Sequence, residues 1–489
     1  MTNSKPVVPL RGVFLSKFDM RRGNVVEWSV DCSPFASLEF KSMPSGIHDV
    51  TDDSISFVAK DNTEGKYYLG VAFYKQNGFD IMADGKQLDR SKVHMYSLGV
   101  ILDVEYDSER GTKQGPFTEY GHYYINKLES LLNAWFTAND VKNTDSFKDF
   151  YESHARDKDI TTLELGVESQ IPMIHYLYHW IKRLGPLIFT LWKSCLLNER
   201  ILILNPSGDR IGTVNALCYC LSLISQSCKL GSKTKSPLLL YTIGTADLEN
   251  MKSILQAKRG RGYIACTSDE LLPYKHEIYD KVLRVNSIWI DDEEDELNCD
   301  VVDESKKLKI LDNKGKQIRA TPYELELYEL MLNTVLREGI TNLDRFKYQL
   351  LVEPVSWYQY LVDTAYFFGT VGYVQPFFHI TADNVCLPDT SVDVDDFNAN
   401  ADVLLAKSVQ GYFYDKTAHI YNTLQSIIAT QSVDPAIGDG VVILPQEMKE
   451  LTLDCFSAQD YEFIAEIGKK WFDKEIVVNG GADYLKLAC

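Results

Sequence analysis

Short apolar runs alternate with polar turns between positions 200 and 284. Residues 201–204 are all apolar and two of them are β-branched, and the turn-forming residues 205–208 follow directly. A short apolar run that ends at a turn predicts a strand buried on both faces. In residues 211–224, apolar residues recur at helical spacing, and further apolar residues occupy the other side. This second pattern predicts a helix packed between two layers.

The same alternation is repeated further along the chain. Residues 238–243 predict a second strand, residues 246–256 a second helix and residues 263–266 a third strand. Strands that alternate with helices are typical of an α/β fold in which a mostly parallel sheet is covered by helices.

The first part of the chain shows a different order. Residues 10–30 predict a β-hairpin, and further short strands are predicted at 38–41, 55–58, 67–73 and 93–102. Apolar residues between 124 and 135 then form one stripe of a helix. A run of strands closed by a helix indicates an α+β module with one face of its sheet covered.

Helices are predicted in the remaining parts. Residues 171–197 form two helical segments separated at Gly185 and Pro186, because proline interrupts a helix. Thr321, Pro322 and Glu324 make a capping box with proline at the first helical position, which is a strong helix start. Further helices are predicted at 341–351, 357–368 and 457–474.

These patterns predict three modules joined by two polar segments. The N-terminal α+β module covers residues 1–137, the central α/β module 171–290 and the mainly helical C-terminal module 321–489. The poorly periodic residues 138–170 are interpreted as one linker, and the charged residues 291–320 as the other.

Net charge and cysteine usage narrow the possible functions. The 489 residues carry a net charge of −19, which argues against nucleic-acid binding and against simple electrostatic adhesion to anionic lipid. A partner with a basic patch suits this chain better. The ten cysteines occur singly, without a Cys-x-x-Cys pair, which fits a reducing cytosol.

Neither a signal peptide nor a transmembrane segment is expected. The apolar stretch 184–197 is interrupted by Lys193 and is shorter than the ~20 residues that a membrane span needs. The sequence therefore predicts a soluble, cytoplasmic protein that associates with organelle membranes at most peripherally.

Motifs for chemical catalysis are missing from the sequence. It contains no phosphate-binding loop and no Gly-x-Ser-x-Gly motif. Residues 208–212 lie between a strand and a helix but lack the remaining glycine and lysine of a nucleotide loop, so we interpret them as a tight turn. His175 and His179 are four residues apart without an accompanying carboxylate, which favours packing over metal binding. We expect no catalytic residue, no metal and no cofactor.

Several segments resemble the LCHN-like branch of the DENN-domain proteins. They are 13–19, 23–28 and 39–46 in the first module, and 241–250, 262–267 and 275–280 in the central module. The resemblance implies that the first module is longin-like and that the next two are the central and downstream DENN modules. It also implies that the chain is a guanine-nucleotide exchange factor for a Rab-type GTPase. An exchange factor works by stabilising the nucleotide-free GTPase, so it needs no reactive group.

The resemblance also indicates where a GTPase would bind. In the family, the longin-like and central modules together form the binding surface, and we expect two sheets to dock and create it. By position, the helix at 117–137 and the loops after residue 204 and at 246–250 are candidates. Their polar residues Asp209, Arg210, Asp247 and Glu249 are the predicted GTPase-binding residues. Cys489, the last residue given, is a candidate for acylation.

Two alternative functions remain open from the sequence. One is a non-catalytic adaptor that recruits a small GTPase or a trafficking complex to a membrane. The other is a small-molecule enzyme that uses the α/β core, which predicts a ligand-sized pocket with converging ionisable groups.

Overall fold

The computed structural model describes residues 8–78, 93–105, 114–138, 143–155, 173–205, 210–225, 237–249, 251–252, 262–285, 308–339, 341–355, 361, 401–431 and 440–478. The chain divides into two compact units. Unit 1 contains Met1–Tyr176, Arg200–Cys220 and Pro237–Lys316, and unit 2 contains Leu177–Glu199, Leu221–Ser236 and Gln317–Cys489.

Unit 1 is built on a mixed β-sheet. Its strands are β1 (Leu10–Asp19), β2 (Gly23–Val30), β3 (Asp52–Lys60), β4 (Tyr67–Gln76), β5 (Met95–Glu105), β6 (Ile201–Leu204), β7 (Leu238–Thr242), β8 (Tyr263–Thr267), β9 (Lys281–Arg284) and β10 (Lys309–Asp312). Within this unit their spatial order is β10-β9-β6-β8-β7-β3-β4-β5-β1-β2. The strands β6 to β9 are parallel, and β1 to β5 are antiparallel.

The predicted pair of docked sheets is wrong, because the two sets of strands form one continuous sheet. Strand β3 pairs with β7 in an antiparallel sense, with Phe57 opposite Tyr241. Tyr241 has a φ of 56° beside an irregularity in the β7–β8 register. This left-handed conformation is strained for an aromatic residue. The backbone is therefore distorted where the N-terminal strands join the parallel ones.

In the described part of unit 1, three helices cover the antiparallel strands. They are α1 (Leu38–Ser42), α2 (Gln114–Ala138) and α3 (Asp145–His154). Helix α2 packs on one face, where the rings of Trp135 and Tyr96 are 4.9 Å apart. Helix α1 lies on the other face, where the Ser42 hydroxyl donates to the Ser16 hydroxyl at 3.1 Å. Helix α3 lies within residues 138–170, and the sequence did not predict it.

The strand predicted at residues 38–41 is wrong, since these residues form α1. The chain enters the helix through Ser37, whose φ of 61° turns the backbone away from an extended path. Two polar residues of α1, Lys41 and Ser42, are buried because each has a polar partner inside the unit. The apolar and polar residues at 38–41 therefore do not alternate between a buried and an exposed face, as those of a strand would.

Helix α6 (Ile211–Ile224) follows β6 as predicted, and the division between the units falls within it. It begins in unit 1 at the carboxyl end of β6.

Unit 2 is mainly helical. Its elements are α4 (Tyr176–Leu184), α5 (Leu187–Leu196), α7 (Pro322–Thr334), α8 (Asn342–Gln349), α9 (Ala401–Gln431), α10 (Pro445–Glu450), α11 (Ala458–Ile467) and the short strands β11 (Gln317–Ile318), β12 (Val441–Ile443) and β13 (Ile476–Val478). The predicted break between α4 and α5 is confirmed, with Gly185 at a φ of 56°. The predicted capping box is also confirmed, because Glu324 N donates to the Thr321 hydroxyl at 3.1 Å.

The fold class is confirmed: antiparallel strands with helices, then mostly parallel strands with helices in the same sheet, then a helical part. The five residue ranges predicted for modules and linkers stay predictions. The helix predicted at 357–368 lies, apart from residue 361, outside the described residues.

Candidate functional site

The carboxyl ends of the parallel strands define one edge of the unit 1 sheet. Strands β6, β7 and β8 all end there, because they run in the same direction. The antiparallel pairing of β3 with β7 brings the start of β3 to this edge, and the pairings of β4, β5 and β1 bring the β1–β2 turn to it. We call this border the carboxyl edge. Binding sites of α/β sheets lie preferentially at such an edge.

A buried ion pair crosses from the N-terminal part to the loop after β7. Lys41 of α1 binds the carboxylate of Asp247, and both side chains are nearly inaccessible, at 5% and 8% exposure. The carboxylate of Asp247 also accepts the N–H of Gly244 at 3.0 Å. A buried charge is stable only when it is paired and hydrogen-bonded, so each partner fixes the other. Helix α1 is thereby held in one position on the carboxyl edge.

Asp53, the second residue of β3, caps the N-terminus of α6. Its carboxylate accepts the N–H groups of Ile211 at 2.5 Å and Gly212 at 3.1 Å. It also accepts the N–H of Ser54 at 2.7 Å. A helix N-terminus attracts an anion because its first N–H groups have no partner within the helix. The anion here is a carboxylate supplied by the chain itself.

The close approach of β3 to α6 depends on Gly212. A Cβ atom at this position would lie 2.3 Å from the hydroxyl oxygen of Ser54 and 2.9 Å from its backbone oxygen. Only glycine allows the carboxylate of Asp53 to reach the helix. The position where a phosphate would bind in a nucleotide-binding α/β fold is thus filled by a side chain of this chain.

Large apolar side chains project from the carboxyl edge. Phe40 of α1 is 49% exposed, and Leu271 and Tyr274 in the loop after β8 are 64% and 72% exposed. This loop is fixed, since Leu271 N donates to Asp269 at 2.9 Å and the adjacent Ser268 hydroxyl donates to the carbonyl of Ser45. The edge therefore presents apolar anchors on a rigid support that both parts of the sheet provide.

Comparison with known proteins places this architecture in a family. The family model of DENN domain-containing protein 11 matches residues 13–294. The protein ANR2 of Saccharomyces cerevisiae is 35% identical over 98% of this chain and 94% of its own length. The chain belongs to the DENN domain-containing protein 11 family. In Xenopus laevis, DENN domain-containing protein 11 itself is 26% identical, over 55% of this chain and 58% of that protein.

The segment that matches the family model includes the carboxyl edge. The family model covers β1 from Val13 onward and β2 to β9 in full, and so it covers the ends of the strands that form the carboxyl edge. DENN-domain proteins are generally exchange factors for Rab GTPases. Membership of the DENN domain-containing protein 11 family therefore supports a regulator of membrane trafficking.

The structure places three of the four predicted GTPase-binding residues. Asp247 is buried in the ion pair with Lys41, and Arg210 pairs with Asp52 at 2.9 Å on the carboxyl edge. Glu249 is exposed two residues after Asp247. Asp209 and Cys489 lie outside the described residues. The structure thus brings Arg210, Asp247 and Glu249 to the carboxyl edge. Of these, Asp247 is buried and stabilises the edge through its ion pair with Lys41.

Sequence analysis missed Phe40, Leu271 and Tyr274. Each stands beside buried residues in the chain, and an apolar residue in such a position is normally interpreted as part of the core. Their exposure depends on the fold and has no local signal.

Groups of metal-binding side chains, long apolar helices and pockets are further features of the described residues. Within them, no group of three metal-binding side chains occurs, and His175 and His179 form no part of such a group. No helix in the described part of the chain is long and apolar enough to cross a membrane. A small pocket beside the ion pair is lined by Lys41, Asp247, Leu240 and Met251. Of the three charged residues that line it, Lys41 and Asp247 bind each other, and the third is Lys60.

Asp53 gives a testable pH dependence. Burial raises the pKa of Asp53 to about 7, opposed by its three backbone hydrogen bonds. The folded state then binds a proton that the unfolded state has released between about pH 4 and pH 7. Relative to Asp53→Asn, which does not titrate, we expect the free energy of unfolding to fall as pH rises through this window and to be constant above it. Urea denaturation at a series of pH values measures the difference, and a difference that rises with pH would contradict the assignment.

Proposed function

We propose that this chain is a guanine-nucleotide exchange factor for a Rab-type GTPase and that the GTPase binds at the carboxyl edge. The observation that supports this function is the composite edge itself. Two stretches far apart in the sequence supply it, and two buried contacts, Lys41 with Asp247 and Asp53 with α6, fix its shape.

The dimensions of the edge suit a GTPase. Strands β8 and β1 are five positions apart in the sheet, which corresponds to about 24 Å at the usual strand spacing of about 4.8 Å. A standard protein interface buries roughly 800 Å² on each partner, so a surface of this width is sufficient. Exposed aromatic and aliphatic side chains on a rigid support are the usual anchors of such an interface.

The mechanism requires binding and no bond chemistry. A partner that binds the GTPase better when its switch segments are displaced increases the population of the nucleotide-free form. A rigid edge can do this because it does not adapt to the nucleotide-bound shape. Asp53 occupies the N-terminus of α6, where a phosphate could otherwise bind. The carboxyl edge therefore contacts the GTPase and does not itself bind the nucleotide.

Release of fluorescent GDP from a panel of purified Rab GTPases tests this proposal. We expect acceleration with at least one GTPase, and we expect the double substitution Leu271→Ala with Tyr274→Ala to lower the release rate about tenfold or more. A matched control replaces Leu444 and Val477 by alanine, which are exposed apolar residues of unit 2. The control variant should keep the wild-type rate.

The same experiment separates the alternatives. Binding of a GTPase without faster GDP release would favour the adaptor. Absence of binding to every GTPase of the panel would contradict the assignment of a GTPase partner. Equal loss of activity in the edge variant and in the control variant would show that the carboxyl edge is not the binding surface.

A further inference from the structure

The turn between β1 and β2 lies at one end of the carboxyl edge and combines apolar and basic side chains. Met20 is 67% exposed, and Phe18 directly before the turn is 39% exposed. Arg21 and Arg22 follow, and both are exposed. Large apolar side chains that project next to arginines are typical of segments that enter the boundary between lipid headgroups and acyl chains.

The carboxylate of Asp19 faces the backbone of the turn. It accepts the N–H of Arg21 at 2.9 Å and the N–H of Arg22 at 3.1 Å. These bonds lower the pKa of Asp19, so its carboxylate is ionised and remains hydrogen-bonded to the backbone of the turn. The guanidinium of Arg22 is 3.9 Å from the same carboxylate. The turn therefore fixes its only acidic group internally while Met20, Arg21 and Arg22 face solvent.

The turn is held by a rigid base. Strand β1 lies between β5 and β2, and residues 12–16 of it are buried. Gly23 closes the turn with a φ of 76°, which a residue with a side chain rarely adopts. The ring of Phe18 contacts His48 at a centroid distance of 4.8 Å. A fixed turn loses little conformational entropy when it enters a surface, which favours insertion.

The overall charge of the chain does not prevent contact of this turn with an anionic surface. The net charge of −19 is spread over 489 residues. At physiological ionic strength the Debye length is about 8 Å, so a phosphate at the turn responds mainly to the charges nearest to it. Arginine matches phosphate well because its planar guanidinium donates two parallel hydrogen bonds.

A second turn of unit 1 provides an internal comparison. After β10, the carboxylate of Asp312 accepts the N–H groups of Lys314 at 2.9 Å and Lys316 at 2.8 Å. This turn has the same arrangement of one acidic residue and two exposed basic residues, but Asn313 and Gly315 stand where an apolar side chain would project. Strand pairing places it at the opposite edge of the sheet.

We propose that the β1–β2 turn is a membrane-binding element that inserts Met20 between the headgroups of anionic phospholipids while Arg21 and Arg22 bind their phosphates. A GTPase bound at the carboxyl edge would then be held next to the membrane surface. The proposal does not depend on exchange activity, since it concerns binding of this chain to lipid.

Sedimentation with vesicles tests the proposal. The full-length chain is mixed with phosphatidylcholine vesicles that contain phosphatidylserine, and with vesicles that lack it. We expect binding only to the anionic vesicles. Met20→Glu should lower the bound fraction several-fold, and Arg21→Glu with Arg22→Glu should abolish binding, because each arginine strengthens binding to an anionic surface about fivefold.

Matched controls separate local from general effects. The double substitution Lys314→Glu with Lys316→Glu changes the net charge by the same amount at the comparison turn and should leave binding unchanged. Leu444→Glu introduces an acidic group at an exposed apolar residue of unit 2 and should also have no effect.

Several results would overturn the proposal. Absence of binding of the wild-type chain to anionic vesicles would do so, as would equal losses in the β1–β2 variants and the control variants. If Met20→Glu left vesicle binding unchanged but reduced GDP release measured without membranes, the turn would belong to the GTPase contact.

Discussion

Replacing Lys41 by methionine is expected to lower the free energy of unfolding of unit 1 by about 3–5 kcal/mol, because it leaves the buried carboxylate of Asp247 without its countercharge. Methionine fills a similar volume, so the loss of charge dominates over the loss of packing. Hydrogen exchange measured by mass spectrometry on peptides of β3, β7 and α1 reports this free energy for unit 1 itself. GDP release should also slow at temperatures where the variant stays folded, since α1 carries Phe40.

Lys60→Met is the matched control for Lys41→Met. Lys60 lines the same pocket, but it is only partly buried, and its ammonium is 6.0 Å from the ring centroid of Tyr67. A cation–π contact at this exposure contributes about 0.5–1 kcal/mol, so the loss should be small. Equal losses in the two variants would show that the ion pair does not hold the carboxyl edge.

A second substitution tests the cause of the Lys41 effect. Asp247→Asn keeps an oxygen that can accept the N–H of Gly244 but removes the charge. Combined with Lys41→Met, it should recover part of the lost stability, because no unpaired buried charge remains. A double variant that is less stable than Lys41→Met alone would contradict this explanation.

Local structure was predictable wherever a pattern is complete within one segment. The strand β6 and the helix α6 follow from an uninterrupted apolar run and from helical spacing, and both were found. The start of α7 follows from the capping box of Thr321 and Glu324, whose two reciprocal hydrogen bonds are present. In these cases, the residues that decide the structure are neighbours in the sequence.

The candidate site was only partly predictable because its contacts are distant in sequence. Lys41 and Asp247 are separated by 206 positions, and Asp53 and Ile211 by 158. Each carboxylate alone is indistinguishable from a surface residue until its partner is known. The error at 38–41 has the same origin, since Lys41 is buried by a partner that its own segment does not contain. The resemblance indicated the loops after residue 204 and at 246–250, and their binding of a GTPase stays a prediction.

The second large loss of stability that we expect is in unit 2, at a lysine between two buried carboxylates. Lys193 of α5 is paired with Glu324 at 2.7 Å and with Asp460, and both carboxylates are almost completely buried. Burial by itself would lower the pKa of Lys193, but the charges of Asp460 and Glu324 raise it above its usual range. Lys193→Met removes one positive charge from between two negative ones. We expect the free energy of unfolding of unit 2 to fall by about 3–5 kcal/mol, as measured by hydrogen exchange of α5, α7 and α11.

The control and the pH dependence identify the cause of the Lys193 effect. Lys182 pairs with Glu338 at 2.8 Å, but both side chains are more than a third exposed, so Lys182→Met should cost less than about 1 kcal/mol. In the Lys193→Met variant, the two adjacent buried carboxyl groups bind protons more readily in the folded state than in the unfolded state. Its deficit relative to wild type should therefore shrink as the pH falls from 7 towards 5. A deficit that is constant over this range would mean that the packing of α5, and not the buried charge, determines the stability of unit 2.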